Sequence, residues 1–308
     1  MEKNSKIYVA GGQTLIGAAI LHELKRQEYS NIVGRPGEEP DLTDALQVES
    51  FLKNERPGYV FLVAGKSGGI EANQKYPAEL MIDNLLIECN VIKSSHKYGV
   101  KKLLYLASSC SYPKHCSQPM QVESLLTGQL EPTNEAYAVA KIAGIKLCQS
   151  YNQQYSTNFV SGIPANAFGP GDDFSLENSH VIAALMRKMH EAKIQGLKSV
   201  EIWGTGTPRR EFIFVDDLAN ACIFVLNHYD GQTPINLGSG RDLSIAELAG
   251  RVKEVVAFQG QLLFDESKPD GMPVKLLDTK KLNGLGWKPM WSFEEALKRT
   301  YSWFVTQK

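Results

Sequence analysis

Four short apolar runs, separated by segments long enough for helices, most strongly constrain what this chain can fold into. The runs are Ile7 to Ala10, Val60 to Ala64, Leu103 to Ala107 and Phe159 to Ile163. Strands that are apolar throughout, rather than alternating with polar residues, are typical of a parallel sheet covered by helices on both faces. The pattern therefore predicts an α/β fold with a Rossmann-like, doubly wound parallel sheet.

The sequence after Pro164 has a different character, because turn-forming residues become frequent. Gly169 to Asp173 reads G-P-G-D-D and Gly204 to Pro208 reads G-T-G-T-P, while helical patterns cover about 180–192, the segment after 216 and 293–304. We expect a Rossmann domain over residues 1–172 and about 212–254. A smaller C-terminal lobe, suited to substrate binding, is expected over about 173–211 and 255–308.

Charge and composition exclude several classes of function. The 308 residues carry 33 lysines and arginines against 34 aspartates and glutamates, a formal net charge of -1. No global basic field marks a nucleic-acid or anionic-membrane binder. The chain starts without an apolar signal core and has no apolar stretch of about 20 residues, so we expect a soluble, cytoplasmic protein.

The cysteines are odd in number and scattered along the chain. They are Cys89, Cys110, Cys116, Cys148 and Cys222, without the paired spacing of a metal site. Neither a disulfide framework nor a structural zinc site is expected from this arrangement. We expect free thiols and no bound metal.

A loop that contains glycines follows the first apolar run. Its residues are Gly11, Gly12, Gln13, Thr14, Leu15, Ile16 and Gly17, and a helical pattern starts directly after them. Glycines at such a turn let the backbone approach a pyrophosphate, whose charge the helix N-terminus then stabilises. The loop predicts a dinucleotide site. Thr14 stands where glycine is common, however, and a tight turn could need glycine for steric reasons alone.

Arg35 follows the next strand-like run, Ser30 to Val33, near the position at which a dinucleotide fold binds the adenosine ribose. An acidic residue there binds the 2'-hydroxyl of NAD, whereas an arginine suits the additional phosphate of NADP. Arg35 therefore favours NADP(H), and an unpaired, solvated arginine is the alternative. Asp41 and Leu42 belong to a segment that is expected to form a turn and helix cap beside the adenine, or to serve capping alone.

Tyr137 and Lys141 stand four residues apart in Y-A-V-A-K, which puts both side chains on one face of a helix. A neighbouring cation favours the phenolate and is expected to lower the pKa of Tyr137 toward neutral pH. Ser108 follows an apolar run, at the expected carboxyl end of a strand, where its hydroxyl could share a carbonyl oxygen with the phenol. With the glycine loop, these residues predict an oxidoreductase or epimerase of the short-chain type. Taken singly, the pair could be a solvated helix face and Ser108 a cap.

Cys110 and His180 suggest a second chemistry. A thiolate two residues from Ser108 could remove a proton beside a ketone, and an imidazole on the other face could return one with inverted configuration. That reaction would be an epimerisation. A buried, apolar cysteine and a histidine that caps its own helix are the structural alternatives.

Several stretches give the chain a family resemblance. They are Gly68 to Glu79, Ser108 to Lys114, Glu131 to Cys148, Asn178 to Ile182, Trp203 to Phe212 and Ser267 to Gly271. In these stretches the sequence resembles the GDP-L-fucose synthase family of extended short-chain dehydrogenases/reductases. Members of that family epimerise GDP-4-keto-6-deoxy-D-mannose at carbons 3 and 5 and then reduce carbon 4 with NADPH.

The resemblance implies a role for each matching residue. Ser108, Tyr137 and Lys141 would form the reductase triad, and Cys110 and His180 would be the base and acid of epimerisation. The GDP-sugar would contact Lys188, Trp203, Arg210 and Asp278, with Lys188 in place of the usual arginine. NADP(H) would contact Gly11, Gly12, Gln13, Thr14, Leu15, Ile16, Gly17, Arg35, Asp41, Leu42, Ala64, Ala107, Lys141, Pro164, Ala165, Asn166, Ala167 and His180. A homodimer is also implied.

The sequence departs from the family pattern mainly around the cofactor. Gln13 stands where the family commonly has arginine, and a second basic position after Arg35 is Gly37. Fewer cations should weaken selectivity for the 2'-phosphate, so use of NAD(H) is compatible with these changes. Ala165 and Gly171 stand where the family often has threonine and histidine, which suggests a related sugar such as a dideoxy or heptose derivative.

The leading hypothesis is a bifunctional GDP-sugar 3,5-epimerase and 4-ketoreductase. One alternative is an NAD-dependent nucleotide-sugar 4-epimerase or a simple 4-reductase that uses the triad without Cys110. The other is a non-catalytic dinucleotide sensor, against which the complete set of Ser108, Cys110, Tyr137, Lys141 and His180 argues.

Overall fold

The fold is built from short strands that alternate with helices. The computed structural model describes residues 1–175, 179–268 and 270–307. The strands are β1 (Ile7–Ala10), β2 (Ile32–Val33), β3 (Tyr59–Leu62), β4 (Lys102–Leu106), β5 (Phe159–Pro164), β6 (Asn166–Phe168), β7 (Ser199–Trp203), β8 (Arg209–Phe214), β9 (Ile235–Leu237), β10 (Asp242–Ser244), β11 (Gln261–Asp265) and β12 (Val274–Lys275). Asn178 and Pro269, which belong to two of the stretches that carry the family resemblance, lie outside the described residues.

The helices follow the strands in a regular alternation through the first half of the chain. They are α1 (Leu15–Arg26), α2 (Ala45–Glu55), α3 (Ile70–Lys75), α4 (Pro77–Lys97), α5 (Glu135–Tyr155), α6 (Val181–Ile194), α7 (Val215–His228), α8 (Ile245–Val256), α9 (Lys280–Gly284) and α10 (Phe293–Thr306). The predicted helices over about 180–192, after 216 and over 293–304 are confirmed as α6, α7 and α10.

The apolar runs form one parallel sheet with the strand order β2-β1-β3-β4-β5-β9. Every neighbouring pair is parallel, with Ala10 opposite Leu62 and Leu62 opposite Tyr105. Helices cover the sheet, α1 packing with α7 and α4 packing with α2 and α5. The chain moves from β1 to β2 and then crosses back to β3 on the other side of β1, which creates the switch point where such sheets bind ligands. The predicted doubly wound α/β fold is confirmed.

The apolar core falls into two clusters, and this supports a division into two lobes. The larger cluster surrounds the parallel sheet. The second lies among α6, α8, α10, β7 and β8, where Met186, Val252 and Leu297 are fully buried.

The packing differs from the expected domain ranges at two places. Helix α8 falls in the range expected for the Rossmann domain, yet Leu248 and Val252 on its apolar face pack in the second cluster. Trp287 falls in the range expected for the substrate lobe, yet it packs in the first cluster and its indole N–H donates to Asn220 Oδ1 at 3.0 Å. A local pattern shows which residues are apolar but not which layer they cover. The exact domain ranges stay a prediction.

The helices and the cysteines in the described part of the chain bear on membrane spans and disulfide bonds, respectively. Each helix in the described part of the chain is too short or too polar to cross a membrane. All five cysteines are free, as the sequence predicts.

Candidate active site

A cavity of about 750 Å³ lies at the carboxyl ends of β1, β3, β4 and β5. It is lined by residues 14–16, 63–67, 106–109, 164–167 and 171–173, together with Ala72, Tyr76, Glu79, Leu80, Tyr137, Lys141 and His180. A volume of this size is typical of a small-molecule or cofactor site. The cavity therefore brings together most of the expected cofactor residues, the triad and His180.

Other expected residues do not line this cavity. Gly11 and Gly12, at the start of the glycine loop, are buried, whereas Gln13 and Arg35 are exposed. The remaining ones are Asp41, Leu42, Gly17, Cys110, Lys188, Trp203, Arg210 and Asp278.

The glycine loop is closed by Thr14, the residue that departs from the usual glycine pattern. Its hydroxyl donates to the carbonyl of Gly11 at 2.8 Å and accepts from the N–H of Gly17 at 3.1 Å, which caps α1. Thr14, Leu15 and Ile16 then line the cavity at the N-terminus of α1. Because this end of a helix carries partial positive charge and free N–H groups, the loop fits the phosphates of a dinucleotide.

Gly17 is the position in this loop that should tolerate substitution least. A Cβ atom there would meet the carbonyl oxygen of Gly11 at 1.9 Å, so Gly17→Ala must displace the backbone. We expect this variant to lose about 2 kcal/mol of unfolding free energy and about 10-fold in NADPH affinity, measured by thermal melting and fluorescence titration. The matched control is Gly250→Ala on α8, where a Cβ meets no atom within 4 Å. Wild-type melting and affinity in Gly17→Ala would contradict this account of the loop.

Glu39 lies against the glycine loop, a position that sequence analysis missed. Its carboxylate accepts from the N–H of Gly11 at 2.5 Å and from the phenol of Tyr8 at 3.2 Å. Burial raises the pKa of Glu39, while these hydrogen bonds act to lower it. The sequence did contain one indication of this position. Glu39 stands about 20 residues after Gly17, the separation at which dinucleotide folds place the acidic residue that binds the ribose.

The segment around Asp41 has clear structural roles. The Asp41 carboxylate accepts from the N–H of Thr43 at 2.9 Å and from its hydroxyl at 2.7 Å, and Asp44 caps α2. Leu42 is buried in the core, and its carbonyl accepts from Asn90 at 3.0 Å. The capping alternative therefore accounts for this segment, and a contact with a cofactor stays a prediction.

Lys141 faces a buried carboxylate that sequence analysis also missed. Its ammonium lies 3.1 Å from Glu88 Oε1 on α4, and the same oxygen accepts from the phenol of Tyr105 at 2.5 Å. Both members of the Lys141–Glu88 pair are almost fully buried. The only local signal was a glutamate that directly follows apolar residues in L-L-I-E.

The expected lowering of the Tyr137 pKa is wrong for this structure. Burial raises the pKa of the phenol, the charges of Cys110 and Glu88 raise it further, and a hydrogen bond with Ser108 acts in the opposite direction. Lys141 Nζ lies 5.9 Å from the centre of the tyrosine ring, and Glu88 offsets its charge. Tyr137 is therefore a protonated phenol at neutral pH, the form that can donate a proton to a carbonyl oxygen.

Cys110 lies beside the cavity, on the turn that follows β4. Its backbone N–H donates to Ser108 Oγ at 3.2 Å, and its Sγ lies 3.2 Å from Asn134 Nδ2 and 3.3 Å from Lys275 Nζ. Burial acts to raise the pKa of this thiol, but the charge of Lys275 and hydrogen bonds from its neighbours outweigh burial and leave the pKa below its ordinary value. These polar contacts argue against the alternative in which Cys110 is only a buried, apolar core residue.

His180 is the residue immediately before α6, but its side chain makes no capping hydrogen bond to the described part of that helix. The imidazole instead lines the cavity. Asp172 lines the same cavity, where burial raises its pKa to about 6 and the charge of His180 opposes the shift. The capping alternative therefore does not account for His180.

The residues expected to hold a GDP-sugar form separate groups outside the cavity. Lys188 Nζ lies 5.6 Å from the ring centre of Trp203, which is 55% exposed. Arg210 donates to the carbonyl of Met272 at 2.5 Å. The Asp278 carboxylate accepts from the N–H of Lys280 at 2.9 Å, at the start of α9. Their roles in substrate binding stay a prediction.

Comparisons with known proteins agree with this architecture. A family model described as the NAD dependent epimerase/dehydratase family matches residues 7–238. GDP-L-fucose synthase 1 of Arabidopsis thaliana is 52% identical, over 99% of this chain and 94% of the relative. GDP-L-fucose synthase of Escherichia coli K12 is 46% identical, over 97% of this chain and 96% of the relative.

Solved structures also match along the whole chain. A GDP-6-OMe-4-keto-L-xylo-heptose reductase from C. jejuni has a TM-score of 0.95 at 37% identity, covering 100% of this chain and 99% of that one. A GDP-L-fucose synthetase from Naegleria fowleri bound to NADP has a TM-score of 0.92 at 31% identity, covering 100% of this chain and 94% of that one. The chain therefore belongs to the NAD dependent epimerase/dehydratase family, as a relative of the GDP-L-fucose synthases.

Proposed function

We propose that this protein is a bifunctional GDP-sugar 3,5-epimerase and 4-ketoreductase. It converts GDP-4-keto-6-deoxy-D-mannose, or a close relative, to GDP-L-fucose or the corresponding analogue with NADPH. The observation that carries the proposal is the cavity shared by Ser108, Tyr137, Lys141 and His180, with Cys110 on the turn beside it. The names of the relatives support the choice of substrate.

The residues around the cavity fit a dinucleotide cofactor. The N-terminus of α1 offers backbone N–H groups to a diphosphate, and small residues at Ala64, Ala107, Ala165 and Ala167 leave room along the sheet edge. NADPH, when bound, provides a hydride for the ketone carbon. Lys141 lines the same cavity and is oriented by its ion pair with Glu88.

In the reductive step, Tyr137 donates its phenolic proton to the oxygen at carbon 4. Ser108 donates a hydrogen bond to the same oxygen and so orients the carbonyl group. The raised pKa of Tyr137 suits this direction of reaction, because the acid form must be present before the transfer. Lys141 keeps a positive charge near the phenolate that remains.

In the epimerisation step, the thiolate of Cys110 removes a proton from a carbon next to the ketone. The electrons of the C–H bond move into an enolate, whose oxygen Tyr137 and Ser108 stabilise. His180 then donates a proton to that carbon from the opposite face, which inverts its configuration. The step occurs at carbon 5 and at carbon 3, both of which flank carbon 4.

The proposal is tested by turnover of the keto sugar with NADPH in heavy water. Protons donated by His180 come from solvent, whereas the hydride at carbon 4 does not. We therefore expect deuterium at carbons 3 and 5 and none at carbon 4, measured by mass spectrometry and NMR. A reduced product with deuterium at neither carbon would exclude the epimerase half.

A simple 4-reductase is the second candidate, because Cys110 does not line the cavity and a named GDP-heptose reductase has a TM-score of 0.95. Ala165 and Gly171, which depart from the family pattern, both line the cavity. Turnover of 6-deoxyhexose, 3,6-dideoxyhexose and heptose keto sugars, each linked to GDP, distinguishes these substrates. Under the leading proposal, the 6-deoxyhexose has the highest kcat/KM.

Cofactor preference depends on the opposing charges of Arg35 and Glu39. We expect Arg35→Ala to raise the KM for NADPH about 10-fold and to leave the KM for NADH unchanged, because only NADPH carries the 2'-phosphate. Glu39→Gln keeps an acceptor for the N–H of Gly11 but removes the negative charge, so the KM for NADPH should fall and the KM for NADH should rise. Steady-state kinetics with both cofactors measures these values. Equal changes for NADPH and NADH in both variants would contradict the assignment.

We further propose that the protein acts as a homodimer. Exposed apolar side chains on α4 and α5, among them Ile82, Leu86 and Tyr155, support an interface between copies. Light scattering during gel filtration tests the oligomeric state, and a monomer at micromolar concentration would contradict it. The location in the cytoplasm stays a prediction.

A further inference from the structure

Lys275 lies next to the thiol of Cys110, although 165 residues separate the two positions. It is carried by β12, which pairs in parallel with β8 so that Lys275 stands opposite Arg210. This pairing brings the Lys275 ammonium to 3.3 Å from Cys110 Sγ. Asn134, on the turn before α5, donates to the same sulfur at 3.2 Å.

Lys275 has no competing role as an ion-pair partner in the described part of the chain. None of the salt bridges formed there includes it. In the same part of the chain, its side-chain ammonium donates a hydrogen bond to the cysteine sulfur. A partly buried ammonium with a thiol as its partner is an arrangement that favours the thiolate over the thiol.

Two other titratable side chains, Arg210 and Tyr137, interact with Cys110 in the described part of the chain. Arg210 on β8 interacts with Cys110 by charge, but its guanidinium donates to the carbonyls of Arg209, Asp270 and Met272. Tyr137 on α5 is a neutral phenol at physiological pH. Lys275 is therefore the cation in direct contact with the sulfur.

We propose that Lys275 is the positioning residue that holds Cys110 as a thiolate, ready to act as the base of epimerisation. The inference rests on the proposed function and adds a residue that sequence patterns did not indicate. Lys275 itself exchanges no proton in the step. The thiolate accepts the proton from carbon and becomes a thiol, which then returns that proton to solvent.

The test is the pH profile of Cys110 alkylation by iodoacetamide in the free enzyme, followed by peptide mass spectrometry. Lys275→Met should raise the apparent pKa of Cys110 by about one unit, which makes alkylation near pH 7 about 10-fold slower. Lys275→Arg should restore the wild-type profile, because it keeps the charge. Lys298→Met, which removes an exposed lysine on α10, is the matched control. Cys89, an exposed thiol on α4, is the internal reference.

A purely structural role for Lys275 predicts a different result. It would leave the apparent pKa of Cys110 unchanged in Lys275→Met, and that outcome overturns the inference. Lys275→Gln, which keeps a polar side chain but removes the charge, is measured in parallel. Thermal melting of every variant shows which of the two neutral variants is folded. The pKa of Cys110 in a folded neutral variant then decides the question. An unchanged apparent pKa in either folded variant overturns the inference.

The experiment also separates this inference from the proposed function. Alkylation of the free enzyme needs no sugar substrate and no turnover. If the wild-type enzyme incorporates no deuterium at carbons 3 and 5, the epimerase proposal fails even where Lys275 still shifts the pKa of Cys110. If the wild-type enzyme epimerises while Lys275→Met keeps the wild-type thiol pKa and deuterium incorporation, only the role of Lys275 fails.

Discussion

Cys110→Ser is expected to lower deuterium incorporation at carbons 3 and 5 by about 100-fold or more, while NADPH is still consumed. A serine hydroxyl is a far weaker acid than a thiol, so it does not provide an anionic base at neutral pH. The smaller oxygen keeps the contacts with Asn134 and Lys275, so the fold should be retained. Since Ser108 and Tyr137 remain, the ketone should still be reduced without inversion.

The product of this variant is therefore as informative as its rate. NMR should show a sugar reduced at carbon 4 that keeps the original configuration at carbons 3 and 5. Cys89→Ser, on the exposed surface of α4, controls for loss of a thiol in general and should behave as the wild type. Wild-type deuterium incorporation in Cys110→Ser would show that another group is the base and would leave the thiol without a catalytic role.

The location of the candidate site could be predicted from the sequence because it depends on local patterns. The apolar runs at β1, β3, β4 and β5 predict a parallel sheet, and the carboxyl ends of parallel strands meet at one edge. Ser108 and the glycine loop each follow such a strand, so their meeting at one cavity follows from the topology. Tyr137 and Lys141 were expected on one helix face, and both line that cavity.

The partners that tune these groups could not be predicted in the same way. Glu88 reaches Lys141 from another helix, and Lys275 reaches Cys110 from a strand near the end of the chain. Each of these contacts depends on how distant elements pack, which a local spacing does not encode. The expected pKa of Tyr137 was wrong for this reason, since the argument included the cation at Lys141 but neither burial nor Glu88.

The composition of the second lobe also could not be predicted from local patterns. The second apolar cluster, which forms the core of this lobe, combines residues from β6 to α10 that are far apart in the sequence. Helix α8 has a clear apolar face, but the pattern alone fits either the sheet or the second cluster. Trp203 and Arg210 were expected at a sugar site from the family resemblance alone, because an exposed aromatic residue and a half-buried arginine have no spacing that identifies such a site.

Tyr137→Phe is expected to lower the rate of NADPH consumption about 1000-fold, because the proton donor for the carbon 4 oxygen is lost. The phenyl ring keeps the packing of the half-buried tyrosine, so the fold and the cavity should be retained. Exchange of deuterium into carbons 3 and 5 of the recovered keto sugar should continue at a reduced rate, because Cys110 and His180 remain but Ser108 alone is left to stabilise the enolate oxygen. Absorbance at 340 nm follows the reduction, and NMR of the recovered sugar follows the exchange.

The pH profile distinguishes the raised pKa of Tyr137 from the lowered value that the Tyr137–Lys141 spacing alone predicts. The acid form of the phenol is the active one, so reduction should fall only as the pH rises through the pKa of Tyr137. With a raised pKa, the phenol stays protonated at neutral and mildly alkaline pH, so the wild-type rate should not fall there. A lowered pKa would make the rate fall from near neutrality. Tyr155→Phe, on the same helix but outside the cavity, keeps the aromatic ring at the proposed dimer interface and should keep both the rate and the profile. A Tyr137→Phe enzyme that reduces the ketone at the wild-type rate would place the proton donor elsewhere.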